Sequence, residues 1–350
     1  MSLKPELHVS TSRGFPAWLH ANKVSIVFTT YQGGRVFFLG LGADGRPAAY
    51  GSSYARCMGV AVSSDARTLM IATETQIYRF DNVLQNAEQK GPHDALFAPH
   101  QTWITGDVDA HELGIGRDGL PVFANTLFNC LATVTPGYSF RPVWRPPFIS
   151  RLIAEDRCHL NGIAFDGGKP KYVTCISGTD VVDGWRDHRA DGGIVVDVRS
   201  GEIIADGLSM PHSPRLRDGT LWLLNSGTGE LGSIDTKTGR FDPIAFCSGY
   251  ARGLSFVGDY AIVGLSRARQ NRTFQGLELE TALEQKGVTA RCGLLVIDLR
   301  DGHVSDWLRI EGTIDELFDV ALLPGLRCPG VIGLSGNEIR RTFALPAARG

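Results

Sequence analysis

No apolar run in this 350-residue chain approaches the ~20 residues that span a bilayer. The first residues, MSLKPELHVSTSRGFPAW, lack the apolar stretch of a secretory signal. Excess charge is missing as well: the formal net charge is −2, and no basic run occurs. That removes the electrostatic case for nucleic acid or an anionic membrane as partner. Cysteine is modest, at positions 57, 130, 158, 175, 247, 292 and 328, with no CxxC pair. An odd count in a chain of this size points to reduced, buried thiols and a cytoplasmic location. Long segments of 3.6-residue periodicity are scarce. Neither a G-x-S-x-G elbow nor an HExxH motif is present.

What the chain has in quantity is glycine, 42 residues, and short apolar runs bounded by Gly, Asp and Asn. The runs recur. SMPHSPRLRDGTLWLLNSGTGELGSIDTKTGRF (209–241) reads as strand, DG turn, strand, turn, strand, TG turn. GYARGLSFVGDYAIVGLS (249–266) repeats its first half, and VDAHELGIGRDGLPVFANTLFNCLATV (108–134) repeats it again. Further copies start near residues 57, 159 and 317, with a fainter one from residue 14. Aligning the first strands gives one column: Phe15, Met58, His111, Asn161, His212, Arg252 and Phe318, spaced 40 to 66 residues apart. A period near 50 with four short strands per unit predicts an all-β propeller. Seven four-stranded antiparallel blades around a central channel are expected, six if the first unit is misread. The repeat runs as one domain over residues 1–350, with Leu7–Ser10 available to complete the C-terminal unit.

Three segments depart from the bare repeat. Residues 80–103 read as a long connection. Residues 269–293 are a polar excursion in which LELETALEQK can form a short helix, and such inserts often act as lids. VVDGWRDHRADGG (181–193) is a polar loop carrying Trp185, Arg186 and His188. SGTGELG (226–232) falls in a strand-to-strand turn, so it is no phosphate loop. NRT (271–273) matches a glycosylation sequon that a cytoplasmic protein would not use.

In a propeller the innermost strands line the channel, so equivalent positions converge. Polar residues gather at one stretch of the column: His111 and Glu112, His159 and Asn161, His212, Arg252, and Asp319 beside Phe318. Polar groups near a channel cost several kcal/mol if desolvated and unpaired. They persist when they pair, hold water or bind a ligand. His111, His212 and Asn161 make a plausible set for a divalent metal (Zn, Fe, Mn, Mg or Ca). His159, Glu112 and Asp319 are the candidate catalytic acids and bases. Arg252, with Trp185 and Arg186 from the polar loop, would bind substrate.

Two resemblances follow from these motifs. NGIAFDGG resembles the strand of the senescence-marker-protein and gluconolactonase propellers, in which the asparagine ligates a catalytic divalent cation; this implies that role for Asn161 alone. FNCLATV, YSFRPVWRPPFIS, EDRCHLNGIA and GLSMPHSPRLRDGTLWLLNSGTGELG resemble a bacterial propeller family of unknown function, found near tetratricopeptide proteins or in biosynthetic clusters. The functional expectation is a hydrolase or lactonase, or a lyase, acting with a metal on a small molecule or peptide at the channel mouth. The lyase plan is similar to that of streptogramin-lyase and oligogalacturonate-lyase propellers. The alternative is a non-catalytic propeller that binds a ligand or a protein.

Overall fold

The computed structural model describes residues 7–267 and 275–343. The sequon at 271–273 therefore lies outside the described residues. The strands form six sheets around one axis, each built on four antiparallel strands, so the molecule is a six-bladed β-propeller. Blade 2 starts with Val60–Val62, blade 3 with Ala110–Ile115, blade 4 with Leu160–Asp166, blade 5 with Pro211–Arg217 and blade 6 with Tyr250–Val257. These inner strands follow one another around the channel, and blade 1 closes the ring between blades 6 and 2.

Blade 1 explains why six blades stand where seven were expected. Its three outer strands, Val24–Thr30, Arg35–Leu41 and Pro47–Ser53, come from the N-terminal part of the chain. Its inner strand, Val320–Pro324, comes from the C-terminal part and pairs antiparallel with Val24–Phe28. The first and last units of the repeat are thus two pieces of one blade. Phe15 does not begin a strand. It begins the helix Phe15–Asn22, helped by Pro16 in its first turn, and it packs in the core below blade 1. Residues His8–Thr11 do not complete blade 1 either. They add a fifth strand to the outside of blade 6, on Val304–Glu311.

The burial pattern follows from blade-on-blade packing. A middle strand has a neighbouring blade on each face, so Val24–Thr30 is buried at all seven positions. Outer strands meet water: Tyr138–Trp144 is mostly exposed and carries Pro142 at the sheet edge. Aromatic pairs join the blades, as where Phe38 of blade 1 meets Phe97 of blade 2 at 5.3 Å between centroids. Each such buried ring contributes roughly 1.5–3 kcal/mol. Residues 80–103 are mostly strand, Gln76–Asn82 and Ala95–Ile104 of blade 2, with only the link between them irregular. All seven cysteines are free and buried. Among the described residues no helix is long and apolar enough to cross a membrane.

Candidate functional site

At four blade junctions the chain enters its inner strand through the left-handed backbone region. Arg56 (φ 46°), Asp109 (φ 51°), His159 (φ 51°) and Met210 (φ 48°) each lie two residues before the column position. For a side chain with a Cβ this costs roughly 1–2 kcal/mol. The turn separates His159 from Asn161. The His159 ring meets His111 edge-on at 4.7 Å and stacks on Trp185 at 4.1 Å between centroids. Asn161 instead ties blade 4 to blade 5: its Nδ2 donates to the Pro211 carbonyl (3.0 Å) and its Oδ1 accepts from Thr174 Oγ1 (2.7 Å).

Hydrogen bonding sets the tautomer of all three mouth histidines. His159 Nδ1 faces Asp156 Oδ2 at 2.7 Å, and a carboxylate only accepts, so Nδ1 carries the proton. His212 Nδ1 faces the Met210 carbonyl at 2.8 Å. His111 Nδ1 faces the Asp109 carbonyl at 3.1 Å and Thr126 Oγ1 at 2.9 Å, whose hydroxyl donates onward to the Leu160 carbonyl. In the neutral form of each ring the lone pair is therefore at Nε2. Burial pushes the His111 pKa down to about 4, and Arg252 and His159 add to that against the opposing pull of Asp109. Burial, then Arg252, drives His212 well below the usual imidazole range. Both rings are neutral bases at pH 7. Asp109 is pulled down, because His111, His159, Arg56 and Arg252 outweigh its burial.

Arg252 completes the arc. Its guanidinium lies 4.8 Å from the Phe318 ring and 5.5 Å from Tyr250, with Glu316 at 3.6 Å. Phe318 also touches His111, so it forms an apolar wall beside the polar groups. The buried polar atoms here without a hydrogen-bond partner among the described residues include His212 Nε2, Arg252 Nε and Trp185 Nε1. A cover closes the mouth. Trp185, on the turn Gly184–His188, packs with Leu279 and Leu283 of the helix Glu278–Gln285, the helix expected within 269–293. Arg186 stacks on Trp185 at 4.3 Å and pairs with exposed Asp183, so it sits on the cover and not in the mouth.

Glu112 and Asp319 do not face the mouth as free bases. They form an axial clasp around Arg215, a residue the sequence reading passed over. Glu112 Oε1 accepts from Arg215, and its Oε2 accepts from the Ile163 amide. Asp319 Oδ2 accepts from the Val60 amide at 2.9 Å, and Arg215 Nε donates to the Leu254 carbonyl. Blades 3, 4, 5, 6 and 2 and the start of blade 1's inner strand meet through three side chains. Burial raises the pKa of both carboxylates, with their mutual repulsion adding for Glu112 and Arg215 opposing in each case.

Of the three residues expected to hold a metal, His111 and His212 stand at the mouth. The Asn161 amide is committed at both ends, and no three His, Cys, Asp or Glu side chains among the described residues come together to hold an ion. The sequence reading also missed Asp156, Thr126 and Tyr250. Asp156 alone carried a signal, its D-x-x-H spacing to His159.

A sequence family described as a domain of unknown function (DUF4915) matches residues 13–332. The chain belongs to the DUF4915 family. No curated protein matches it in sequence. The fold of this DUF4915 chain is similar to that of a chain in the nidogen/laminin complex, with a TM-score of 0.53, 12% identity, and coverage of 87% of this chain and 100% of that one. A Bacteroides caccae protein of unknown function gives 0.48 and 9% over 86% and 99%. Virginiamycin B lyase from Staphylococcus aureus with quinupristin gives 0.42 and 12% over 87% and 99%. Such identities speak to the fold alone.

Proposed function

We propose that the covered mouth is the acid–base active site of an enzyme acting on a small anionic molecule or peptide, as a lyase or a hydrolase. The observation that carries this reading is the pair of buried, unpartnered atoms, His212 Nε2 and Arg252 Nε, beside the Asp156–His159 dyad. Buried polar atoms without partners are rare in folded proteins. A ligand hydroxyl or amide N–H would satisfy His212, and a carboxylate or phosphate would satisfy Arg252. His159 Nε2 then takes a proton from a carbon next to a carbonyl, or from water, and Asp156 stabilises the imidazolium that forms. His111, neutral, supports the His159 ring from its edge. The cover must move aside for a ligand to enter.

The non-catalytic reading is favoured by one feature, the depth of that cover: His111, His159, His212 and Arg252 are each no more than 7% exposed. A thermal-shift screen of small carboxylates and phosphates, followed by turnover assays and deuterium incorporation in D2O, separates the two. His159→Gln is expected to lower turnover or exchange by 10²–10⁴-fold with binding retained. Arg252→Gln is expected to weaken binding. Binding without turnover or exchange would favour the scaffold. Elemental analysis of the same samples adds a check, since stoichiometric metal lost in both His111→Ala and His212→Ala would restore a metal-assisted route.

A further inference from the structure

A second cavity lies on the opposite face. It measures about 700 Å³ and opens where first and second strands turn back on each other. Five blades give it half-exposed apolar side chains, among them Val62, Ile115, Phe165, Leu216 and Leu322. This volume and lining match those of small-molecule pockets, which pair apolar walls with a few convergent polar groups.

The inner end of the cavity is the axial clasp. Its charges are presented unequally. Arg215 is 24% exposed, whereas the Glu112 and Asp319 side chains are 6% and 4% exposed. Arg215 Nη2 reaches Asp319 Oδ1 only at 3.5 Å, too long for a strong bond, so this nitrogen keeps donor capacity. Arg117 adds a second cation to the lining, and Glu112 is its one carboxylate. A ligand entering from this face therefore meets apolar walls and then a guanidinium. The clasp separates it from the histidines, none of which lines the cavity.

We propose that this cavity binds an amphipathic monocarboxylate, its apolar body among the five wall residues and its carboxylate on Arg215. The site is separate from the mouth and does not depend on the function proposed there. A carboxylate would give Arg215 Nη2, which reaches Asp319 only at 3.5 Å, a closer charged acceptor, and neither a neutral nor an ammonium head group supplies one.

Calorimetry with decanoate, decanol and decyltrimethylammonium, each below its micelle concentration, tests this. Decanoate is expected to bind at one site, with the other two at least tenfold weaker. Val62→Trp fills the cavity from a half-exposed position and is expected to abolish decanoate binding; Leu216→Trp serves the same purpose if the first variant does not fold. Arg252→Gln is expected to leave decanoate binding unchanged. No decanoate binding, equal affinity for the three probes, or binding lost in Arg252→Gln but kept in the filled variants would each overturn the proposal.

Discussion

At the scale of single residues, the mouth is governed by protonation. His111 and His212 are buried as neutral rings, so folding depresses their pKa below the ordinary value of 6.5. Their contribution to stability is complete above that value and is lost as pH falls toward about 4 for His111. Glu112 and Asp319 act with the opposite sign. Their raised pKa values favour the folded state in acid and lose that contribution as pH rises. The clean quantity is therefore a difference. Denaturant melts of wild type and His111→Asn should show the wild-type advantage shrinking between pH 7 and pH 4.5, by up to about 3 kcal/mol. A difference that stays flat with pH would mean that the ring titrates alike in the folded and unfolded chain, as one accessible to water does.

At the scale of elements, the inner strands are bent where they carry the site. Register shifts follow His212 and Arg252, at Ser213 (φ 51°) and Gly253 (φ 77°). Such bulges re-aim a side chain while the ladder continues on either side. Gly253 has a second reason to be glycine: a Cβ there would lie 2.6 Å from the Val320 amide nitrogen of blade 1. Gly119, in a surface turn with φ 76°, would meet nothing within 4 Å. Gly253→Ala should therefore cost more than Gly119→Ala. We expect roughly 2 kcal/mol or more against about 1, read from chemical melts. Equal costs would show that blade 1 yields at the bulge.

At the scale of the whole molecule, stability rests on closure. Blade 1 is assembled from both parts of the chain, and the clasp ties inner strands of all the blades at the axis. A chain ending at Phe318 lacks both the closing strand and Asp319. It leaves Val24–Thr30 with an open edge and Arg215 with one carboxylate. We expect loss of the sharp thermal transition, checked by calorimetry and near-UV circular dichroism. A cooperative transition of unchanged enthalpy in the truncated chain would show that five blades and a partial sixth hold together without it.

The propeller class and the inner-strand column were readable in the one-dimensional pattern, because each blade must bury both faces of its middle strands and so repeats the same apolar runs and turns. His111, Asn161, His212 and Arg252 were legible for the same reason, as polar residues in a column that also holds Phe15, Met58 and Phe318, and His159 lies two residues before it. The blade count was not. A strand from residue 320 and one from residue 24 look like two unfinished units until pairing joins them. The roles within the column were hidden too. The left-handed backbone at His159 sends its ring into the mouth, while Asn161, two residues on, faces the wall between blades. Arg215 draws Glu112 and Asp319 away from the mouth across more than a hundred positions of sequence. Hydrogen-bond partners and backbone sign are set by contacts between distant segments, and these only the folded ring brings together.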